Sequence, residues 1–303
     1  MDSHNTVNPT RRGFLVTAAG GVGLVSCRGF TSGGGVAGAE RCPTEPSVIA
    51  HRGLRQYAPE NTLPAFAAAI EVGLGFELDV YQTTDGGLVV IHDGTVDRTT
   101  DGTGHVAQMA MADVRMLDAG RWFHPSFAGL KVPTLEEVFQ LVLQRQRTPV
   151  TICLDVKTTS PRIEDNVVEA VDRHDLFGQV FTLRHTEDSL RRFKEANVRI
   201  RTSARVPGWS YDKEQFDKML SDPLVDCLGT VDFIPSATEI ERAHGLGKQV
   251  FLSLNDDLPE DIGDDRPDTN AEWDKAQLNK MDGICTDYPL ECLWRWRRAE
   301  RAG

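Results

Sequence analysis

The sequence predicts an α/β protein built as a closed (β/α)8 TIM barrel, with an insertion over one face. Strand-like and helix-like patterns alternate seven or eight times between about residues 48 and 298, which is typical of helices wound around a parallel sheet. Ionisable residues stand at or just after the ends of several predicted strands, the end at which barrel enzymes place their active sites. An open doubly wound sheet is the alternative. No GxGxxG motif follows the first strand, which weakens a dinucleotide-binding version of it.

The first half of the chain has the clearest elements. Pro64 fits the first turn of a helix, Thr134 and Glu137 form a capping-box pattern, and Asp-Gly-Gly at 85–87 predicts a turn. Asn61 or Thr62 is expected to cap the helix that follows, and capping is the only role expected of Asn61. The predicted strands cover residues 48–51, 76–80, 88–91, 151–157 and 179–183, and the predicted helices cover 62–72, 134–146, 162–173 and 187–196.

The second half repeats the pattern less clearly. Its predicted strands cover residues 199–202, 225–228, 249–254 and 283–286, and its predicted helices cover 212–220, 238–245 and 289–298. Residues 95–133 are rich in glycine and loop signals, and they predict an insertion over one face of the fold. No linker or composition break appears after Pro43, so we predict a single barrel domain over residues 45–300.

Two acidic residues on the second strand predict a metal site. Glu77 and Asp79 are two positions apart, so on a strand they point to the same side. Two carboxylates that share one side repel each other, and a bound hard cation such as Ca²⁺ or Mg²⁺ is the usual remedy. A solvated strand face is the alternative, but the flanking apolar residues disfavour it.

Further ionisable residues fall at predicted strand ends in the same way. Because the carboxyl ends of barrel strands lie at one end of the barrel, we expect these residues to meet there. The set consists of His51, Glu77, Asp79, His92, Asp155 and Lys157.

An ordered set of motifs resembles the signature of the glycerophosphodiester phosphodiesterase family. The first three are His51-Arg52-Gly53, Pro59-Glu60-Asn61-Thr62 and Glu77-Leu78-Asp79-Val80. The later ones are His92-Asp93, Asp97-Arg98-Thr99-Thr100, Asp118-Ala119-Gly120, Pro133-Thr134-Leu135-Glu136-Glu137 and Thr286-Asp287-Tyr288-Pro289. The first motif alone would be a weak signal, whereas the ordered set is highly specific and extends roughly from residue 47 to residue 295.

The resemblance implies a TIM barrel with a small insertion after the second strand. It also implies one divalent cation, Ca²⁺ or Mg²⁺, held by Glu77, Asp79 and a third carboxylate, Asp155. The family usually has Glu-x-Lys on the third strand, whereas this chain has an aspartate, Asp155, two residues before Lys157. This shorter acid keeps the charge and could alter the metal distance or preference. The family also often carries a Trp and an Asn near the seventh strand. Here Asn255 is present, beside Phe251 and Leu252.

The implied function is metal-dependent hydrolysis of glycerophosphodiesters to sn-glycerol 3-phosphate and an alcohol. His51 and His92 are suited to general acid and base roles, because imidazole titrates near neutral pH. Arg52 and Lys157 would hold phosphoryl oxygens. Glu60 is expected either to support the metal site or to hold its own loop, and Asn255 is a further candidate beside the site.

Two other functions are compatible with the same residues. A related phospholipase D-like barrel enzyme that acts on lysophospholipids would need an apolar groove, for which Trp122, Phe123 and Phe127 of the insertion are candidates. A non-catalytic phosphodiester-binding protein is the other alternative. The complete set of two histidines and three acids argues against it, because a binding protein would be free to lose them.

The N-terminal residues 1–39 resemble an export signal followed by a Gly-rich linker. Arg11 and Arg12 match the twin-arginine motif, and the apolar run that follows is too short to span a bilayer. The run ends at Cys27 in a lipobox-like sequence, which predicts a lipoprotein anchored through this residue. Cleavage near Ala39 and simple secretion is the alternative. We therefore expect an exported protein.

Composition limits the classes of partner. The formal net charge is -12 and the pI is about 5.1, which argues against a protein that tracks a nucleic-acid backbone. A small-molecule phosphate substrate remains possible, because a metal and a few cations can set the local field. Cys153 and Cys285 lie in predicted strands and are expected to be buried. The sequence contains no CxxC pair, so a structural zinc site is not expected. The oligomeric state is left open.

Overall fold

The computed structural model describes residues 46–157, 162–184, 186–208, 211–254 and 269–302. The predictions made for residues 1–39, for Cys27 and for Asn255 lie outside the described residues. Among the helices that the structure describes, none is long and apolar enough to cross a membrane.

The described elements alternate between strands and helices. The strands are β1 Ser47–Ala50, β2 Gly75–Gln82, β3 Leu88–Val90, β4 Ile152–Val156, β5 Val180–Arg184, β6 Arg201–Pro207, β7 Cys227–Val231, β8 Gln249–Ser253 and β9 Gly283–Thr286. The helices are α1 Leu63–Glu71, α2 Met111–Val114, α3 Leu135–Arg145, α4 Ile163–Arg173, α5 Glu187–Ala196, α6 Lys213–Ser221, α7 Ala237–Gly245, α8 Asn270–Leu278 and α9 Pro289–Ala302.

Within these described ranges, eight parallel strands close into a barrel, and the predicted TIM barrel is confirmed. The order runs β1-β2-β4-β5-β6-β7-β8-β9, and β9 pairs back onto β1 with Ile49 opposite Cys285. Closure leaves the eight barrel strands without a free edge and brings their carboxyl ends together at one mouth. The predicted insertion also follows the second barrel strand.

Strand β3 is not a barrel strand, which corrects the expectation that every candidate follows one. It runs antiparallel to β2, with Val90 opposite Val80, so β2 and β3 form a hairpin that rises above the barrel mouth and returns to it. His92 therefore reaches the mouth from the returning strand of this hairpin. Register explains the placement, because the Ile91 amide donates to the Asp79 carbonyl at 3.1 Å.

Apolar side chains fill both the barrel interior and the layer between strands and helices. The interior includes Ile49, Cys153, Phe181, Phe251 and Cys285, and the rings of Phe181 and Phe251 stack with centroids 4.5 Å apart. The expected burial of Cys153 and Cys285 is thus confirmed. This closely packed interior supports the mouth from below.

Two element predictions were wrong or incomplete. Strand β6 begins at Arg201 rather than at residue 199 and extends to Pro207 rather than ending at residue 202. The prediction missed these bounds because Arg201 and Arg205 interrupt the apolar pattern by which strands are recognised. Helix α8 was not predicted, since only Trp273 and Ala276 of its nine residues are buried and its pattern is sparse.

The insertion has a small apolar core of its own, which loop signals alone did not predict. This core consists of Val89, Ile91, Val96, Val106, Val114, Ala119 and Val132, each at most 5% exposed. It contains the short helix α2 and two 3₁₀ turns, Val106–Gln108 and Pro125–Phe127. The hairpin strand β3 contributes Val89, so the insertion packs directly against the wall of the mouth.

Candidate active site

Three carboxylates converge at the mouth of the barrel. Glu77 and Asp79 alternate along β2, and the parallel register of β2 with β4 places Asp155 directly opposite Asp79. One ligand oxygen from each of the three lies within 4.8 Å of the others. Glu77 and Asp79 are almost fully buried, whereas Asp155 is partly exposed. The structure therefore brings together the three acids that sequence reasoning selected.

Burial and charge push the two β2 carboxylates in opposite directions. Burial, together with the neighbouring charge of Asp79, raises the pKa of Glu77 from 4.5 to about 8. Burial alone would also raise the pKa of Asp79, but Lys157, His92 and Arg52 outweigh it and lower that pKa. Without a cation, the cluster accommodates one carboxylate that holds its proton beside one that stays ionised.

The cluster fits a hard divalent cation. Oxygen ligands from carboxylates suit Ca²⁺ and Mg²⁺, and three of them converge here with an unfavourable mutual repulsion that a cation would relieve. Glu77, Asp79 and Asp155 are the residues that would hold it. The donor set does not distinguish Ca²⁺ from Mg²⁺, because both prefer oxygen.

Lys157 lies among these carboxylates. Its Nζ is 2.7 Å from Asp155 Oδ2 and 3.0 Å from Asp79 Oδ1. Burial would lower the pKa of this ammonium group, but the surrounding carboxylates raise it above the ordinary lysine value. Lys157 is therefore a permanent positive charge at the mouth.

Arg52 holds the cluster through both its backbone and its side chain. Its amide donates to Glu77 Oε2 at 3.0 Å, and its Nη1 donates to Glu60 Oε1 at 3.1 Å. Its Nε lies 3.6 Å from Asp79 Oδ2. The backbone of Arg52 is left-handed (φ 55°), and the next residue is Gly53, where a Cβ would lie 2.8 Å from that of Ala65. This tight turn points the Arg52 amide toward the carboxylate cluster, where it binds Glu77.

Asn61 corrects a further expectation, since it does not cap α1. Thr62 occupies the N-cap position, and the Asn61 side chain instead forms two hydrogen bonds with Asp79. The Asn61 Nδ2 donates to Asp79 Oδ2 at 2.7 Å, and its Oδ1 accepts from the Asp79 amide at 3.3 Å. A left-handed backbone (φ 54°) turns the side chain into the mouth. Asn61 therefore orients a carboxylate of the cluster.

His51 is fixed by a buried aspartate from the end of β9. Its Nδ1 lies 2.8 Å from Asp287 Oδ1, and Arg55 binds the other oxygen of the same carboxylate. Burial would lower the pKa of His51, but the hydrogen bond to Asp287 and the charge of Glu77 raise it overall.

His92 has a matching arrangement on the hairpin side. Its Nδ1 lies 2.7 Å from Asp93 Oδ1, and Arg98 Nε donates to the other Asp93 oxygen at 2.7 Å. The hydrogen bond from Arg98 is the main cause that lowers the pKa of Asp93 to about 2. Arg98 also binds Glu60 Oε1 at 2.7 Å, so Glu60 links Arg98 to Arg52. Glu60 thus holds two arginines of the site.

Sequence reasoning did not select four of the residues that hold the histidines. Asp287, Arg55, Asp93 and Arg98 had no assigned role, although three of them lie within motifs of the resemblance. A sequence signal for the two aspartates was present. Asp287 directly follows a predicted strand and Asp93 directly follows His92, and an aspartate in such a position can accept a hydrogen bond from an imidazole. His244, one of the other described histidines, binds Asp282 on the surface instead.

The fold and the mouth define a TIM-barrel protein with a carboxylate cluster between two aspartate-held histidines. The model of the Glycerophosphoryl diester phosphodiesterase family matches residues 51–291. The chain therefore belongs to this family.

Individual relatives agree with the family. A glycerophosphodiester phosphodiesterase of Bacillus altitudinis is 36% identical over 250 residues, which cover 80% of this chain and 94% of that protein. One of Caldanaerobacter subterraneus subsp. tengcongensis is 41% identical over 152 residues, 49% of this chain and 61% of that protein. The chain spans between 44% and 61% of the length of three of its curated relatives.

A solved structure supports the fold. The phosphodiesterase of Oleispira antarctica, solved in complex with the product sn-glycerol-3-phosphate, superposes with a TM-score of 0.64. The two proteins are 23% identical, and the match covers 83% of this chain and 97% of that one.

Proposed function

We propose that this protein hydrolyses glycerophosphodiesters to sn-glycerol 3-phosphate and an alcohol, with one divalent cation at the carboxylate cluster. The observation that carries the proposal is the placement of Glu77, Asp79 and Asp155 between two histidines whose Nδ1 atoms are both held by aspartates. Membership of the family and the names of the relatives support the same substrate class.

The two imidazoles would act through their Nε2 atoms. An aspartate carboxylate can only accept, so each Nδ1 carries a proton and each Nε2 is left for the substrate. One imidazole would be neutral and take the proton of the attacking hydroxyl at its Nε2. The other would be an imidazolium, protonated on Nε2 as well, and would give that proton to the leaving alkoxide. The attacking group is either the glycerol hydroxyl of the substrate, which gives a cyclic phosphate that water then opens, or water itself.

The other residues would bind and orient. A cation held by Glu77, Asp79 and Asp155 would supply positive charge to the glycerol-phosphate part of the substrate and lower the pKa of a bound hydroxyl. Lys157 and Arg52 would add positive charge next to the phosphoryl oxygens. In the described geometry both already bind carboxylates, so they would contact substrate from the rim of the cluster. Asn255 remains proposed as a contact beside the site.

The proposal is tested by assaying release of sn-glycerol 3-phosphate from glycerophosphocholine and glycerophosphoethanolamine. Purified protein is assayed with Ca²⁺, with Mg²⁺ and with chelator, beside His51→Ala. The matched control is His105→Ala, because His105 is exposed on the insertion. We expect cation-dependent release that is lost by about 10²- to 10⁴-fold in His51→Ala and unchanged in the control.

Other outcomes point to the alternatives. Release that persists in His51→Ala would refute the proposed histidine role. No release from folded protein with either cation would favour lysophospholipids, and no turnover of those either would favour a binding protein. The aromatic residues expected to line an apolar groove pack on one another instead: Phe123 lies edge-on to Trp122 and to Phe127, at 5.8 and 5.6 Å. The contact among these rings gives the lysophospholipid alternative no added support.

We also propose that the protein is exported by the twin-arginine route. The support is the sequence around Arg11 and Arg12, followed by the short apolar run and Cys27. Lipid attachment at Cys27 and cleavage near Ala39 are the two proposed fates of the segment.

A further inference from the structure

Tyr81 lies directly above the carboxylate cluster. Glu77, Asp79 and Tyr81 alternate along β2, so their side chains share the face that looks into the mouth. Pairing between β2 and β4 ends at Val80 opposite Val156, and Tyr81 is the next residue, at the rim. Its side chain is half-buried. The position is therefore open to a ligand held at the cluster.

The neighbours of Tyr81 belong to both halves of the site. The Lys157 amide donates to the Val80 carbonyl at 2.9 Å, which places this lysine beside Tyr81. On the other side stands Gly94, where a Cβ would lie 3.5 Å from the Tyr81 hydroxyl oxygen. Because Gly94 follows Asp93, the hydroxyl lies close to the aspartate that holds His92. Tyr81 thus stands between the carboxylate cluster and His92.

The hydroxyl of Tyr81 is a donor without a protein acceptor among the described residues. Tyr211 offers a contrast, since its hydroxyl donates to Glu239 Oε1 at 2.6 Å. The ring of Tyr81 is held by packing against the core of the insertion. A phenol has an ordinary pKa of about 10, so the hydroxyl keeps its proton at neutral pH. A fixed ring with an unused donor at the mouth is suited to contact a ligand.

The charge balance of the mouth gives this donor a use. Arg52 and Lys157, the cations nearest the cluster, are both bound to carboxylates. A neutral hydroxyl can approach an anionic oxygen without displacing either ion pair. Hydrogen bonds to charged acceptors are also stronger than those between neutral groups.

We propose that Tyr81 is a substrate-binding residue whose hydroxyl donates a hydrogen bond to a phosphoryl oxygen of the glycerophosphodiester. This inference rests on the proposed function. It assigns to the hairpin that carries His92 a second role, the positioning of the phosphate group next to that histidine.

The test is Tyr81→Phe, which removes the hydroxyl and keeps the ring that packs on the insertion. The matched control is Tyr211→Phe, because its hydroxyl binds Glu239 of α7 rather than facing the cluster. We expect kcat/KM for glycerophosphocholine to fall by about 10- to 100-fold in Tyr81→Phe and by less than about twofold in the control. Thermal unfolding should show the same midpoint for Tyr81→Phe and wild type.

Calorimetric binding of sn-glycerol 3-phosphate separates this inference from the proposed function. Weaker binding of this compound by Tyr81→Phe supports the inference whether or not the wild type turns over glycerophosphodiesters. Equal binding and equal kcat/KM in Tyr81→Phe and wild type overturn the inference and leave the proposed function standing. A wild type that neither binds sn-glycerol 3-phosphate nor releases it from diesters overturns both.

Discussion

Each histidine of the site contacts an aspartate, and an arginine binds the same carboxylate. The two groups are His51–Asp287–Arg55 and His92–Asp93–Arg98. They differ in exposure, because the Asp287 side chain is 1% exposed and that of Asp93 is 29% exposed. The buried pair is therefore the more strongly constrained, since a buried carboxylate has few alternative partners in water.

Removal of the Asp287 charge should impair His51. In Asp287→Asn the amide can donate to Nδ1, which would favour the imidazole tautomer with its proton on Nε2. We expect kcat for glycerophosphodiester hydrolysis to fall by about 10²- to 10⁴-fold in protein that remains folded. The thermal midpoint should also fall, because Arg55 loses its buried charge partner. Steady-state kinetics on glycerophosphocholine measure the effect.

The chain offers a control for this substitution. Asp282 accepts from the surface imidazole of His244 at 2.9 Å, away from the mouth, so Asp282→Asn alters another His–Asp pair. It should leave kcat near the wild-type value. If the two variants lost activity equally, the tautomer argument for Asp287 would be wrong.

Asp155 is the residue at which this chain departs from the Glu-x-Lys pattern of its family. Asp155→Glu adds one methylene to a proposed cation ligand whose carboxylate already contacts Lys157 at 2.7 Å. We expect the variant to stay active with a changed ratio of activation by Ca²⁺ and Mg²⁺, because Mg²⁺ demands shorter and more regular coordination. Asp155→Asn should lose about 10- to 100-fold in cation affinity. Cation titrations of activity measure both, and identical titrations for wild type and Asp155→Asn would exclude this residue as a ligand.

Residue types and spacing were enough to predict much of the site. His51, Glu77, Asp79 and Asp155 could be selected because alternation along a strand and position at a strand end are local properties. The roles of Asn61 and Asp287 could not, since each depends on a contact with a residue distant in sequence, 18 positions away for Asn61–Asp79 and 236 for His51–Asp287.

At the scale of elements, the hairpin of β2 and β3 joins the barrel to the insertion. Strand β2 carries Glu77 and Asp79 on its barrel half, and β3 leads into His92 and then the insertion. The insertion in turn is held together by Asp118. Its Oδ1 accepts from the amides of Gly120 and Arg121, both at 2.9 Å, and its Oδ2 accepts from Gly129 at 2.8 Å.

Asp118→Ala should destabilise the protein by about 1–3 kcal/mol at neutral pH, because it leaves three backbone donors without this acceptor. The amides of Gly120, Arg121 and Gly129 lower the pKa of Asp118 from 3.8 to about 2. A lowered carboxyl pKa stabilises the folded state above the unfolded pKa and loses that contribution as pH falls through the folded pKa. The stability difference between wild type and variant should therefore shrink between about pH 4 and pH 2.

Urea unfolding at several pH values measures this difference. Asp113→Ala is the control, because Asp113 is an exposed aspartate of the same insertion. Its unfolding free energy should stay within about 0.5 kcal/mol of the wild type. A difference for Asp118→Ala that is constant with pH would refute the role of its charge.

At the scale of the whole molecule, barrel closure decides which residues meet. Asp287 at the end of β9 reaches His51 after β1 only because β9 pairs with β1, which are the last and first strands of the described chain. Closure also pairs β1 with both β2 and β9, which places the His51–Asp287 pair next to the strand that carries Glu77, Asp79 and Tyr81. The active-site geometry is thus a property of the closed sheet.

Export is a prediction that concerns residues 1–39, ahead of the barrel. Replacement of Arg11 and Arg12 by lysine should retain the protein inside the producing cell, since the twin-arginine pair is the feature that the export pathway would read. Fractionation with an antibody, beside mass spectrometry of the wild-type N-terminus, measures both retention and the fate of Cys27. Equal export of the double variant and wild type would reject the twin-arginine route, and an unmodified Cys27 would reject lipid attachment.

The sequence by itself determined the fold class, the insertion, the family and the three carboxylates with their two histidines. It did so because periodicity, strand-end position and motif order are all written locally along the chain. The tertiary structure decided that β3 stands outside the barrel, that Asn61 holds Asp79, and that aspartates backed by arginines hold both histidines. These contacts depend on sheet register and on closure, which bring together side chains that no local pattern connects.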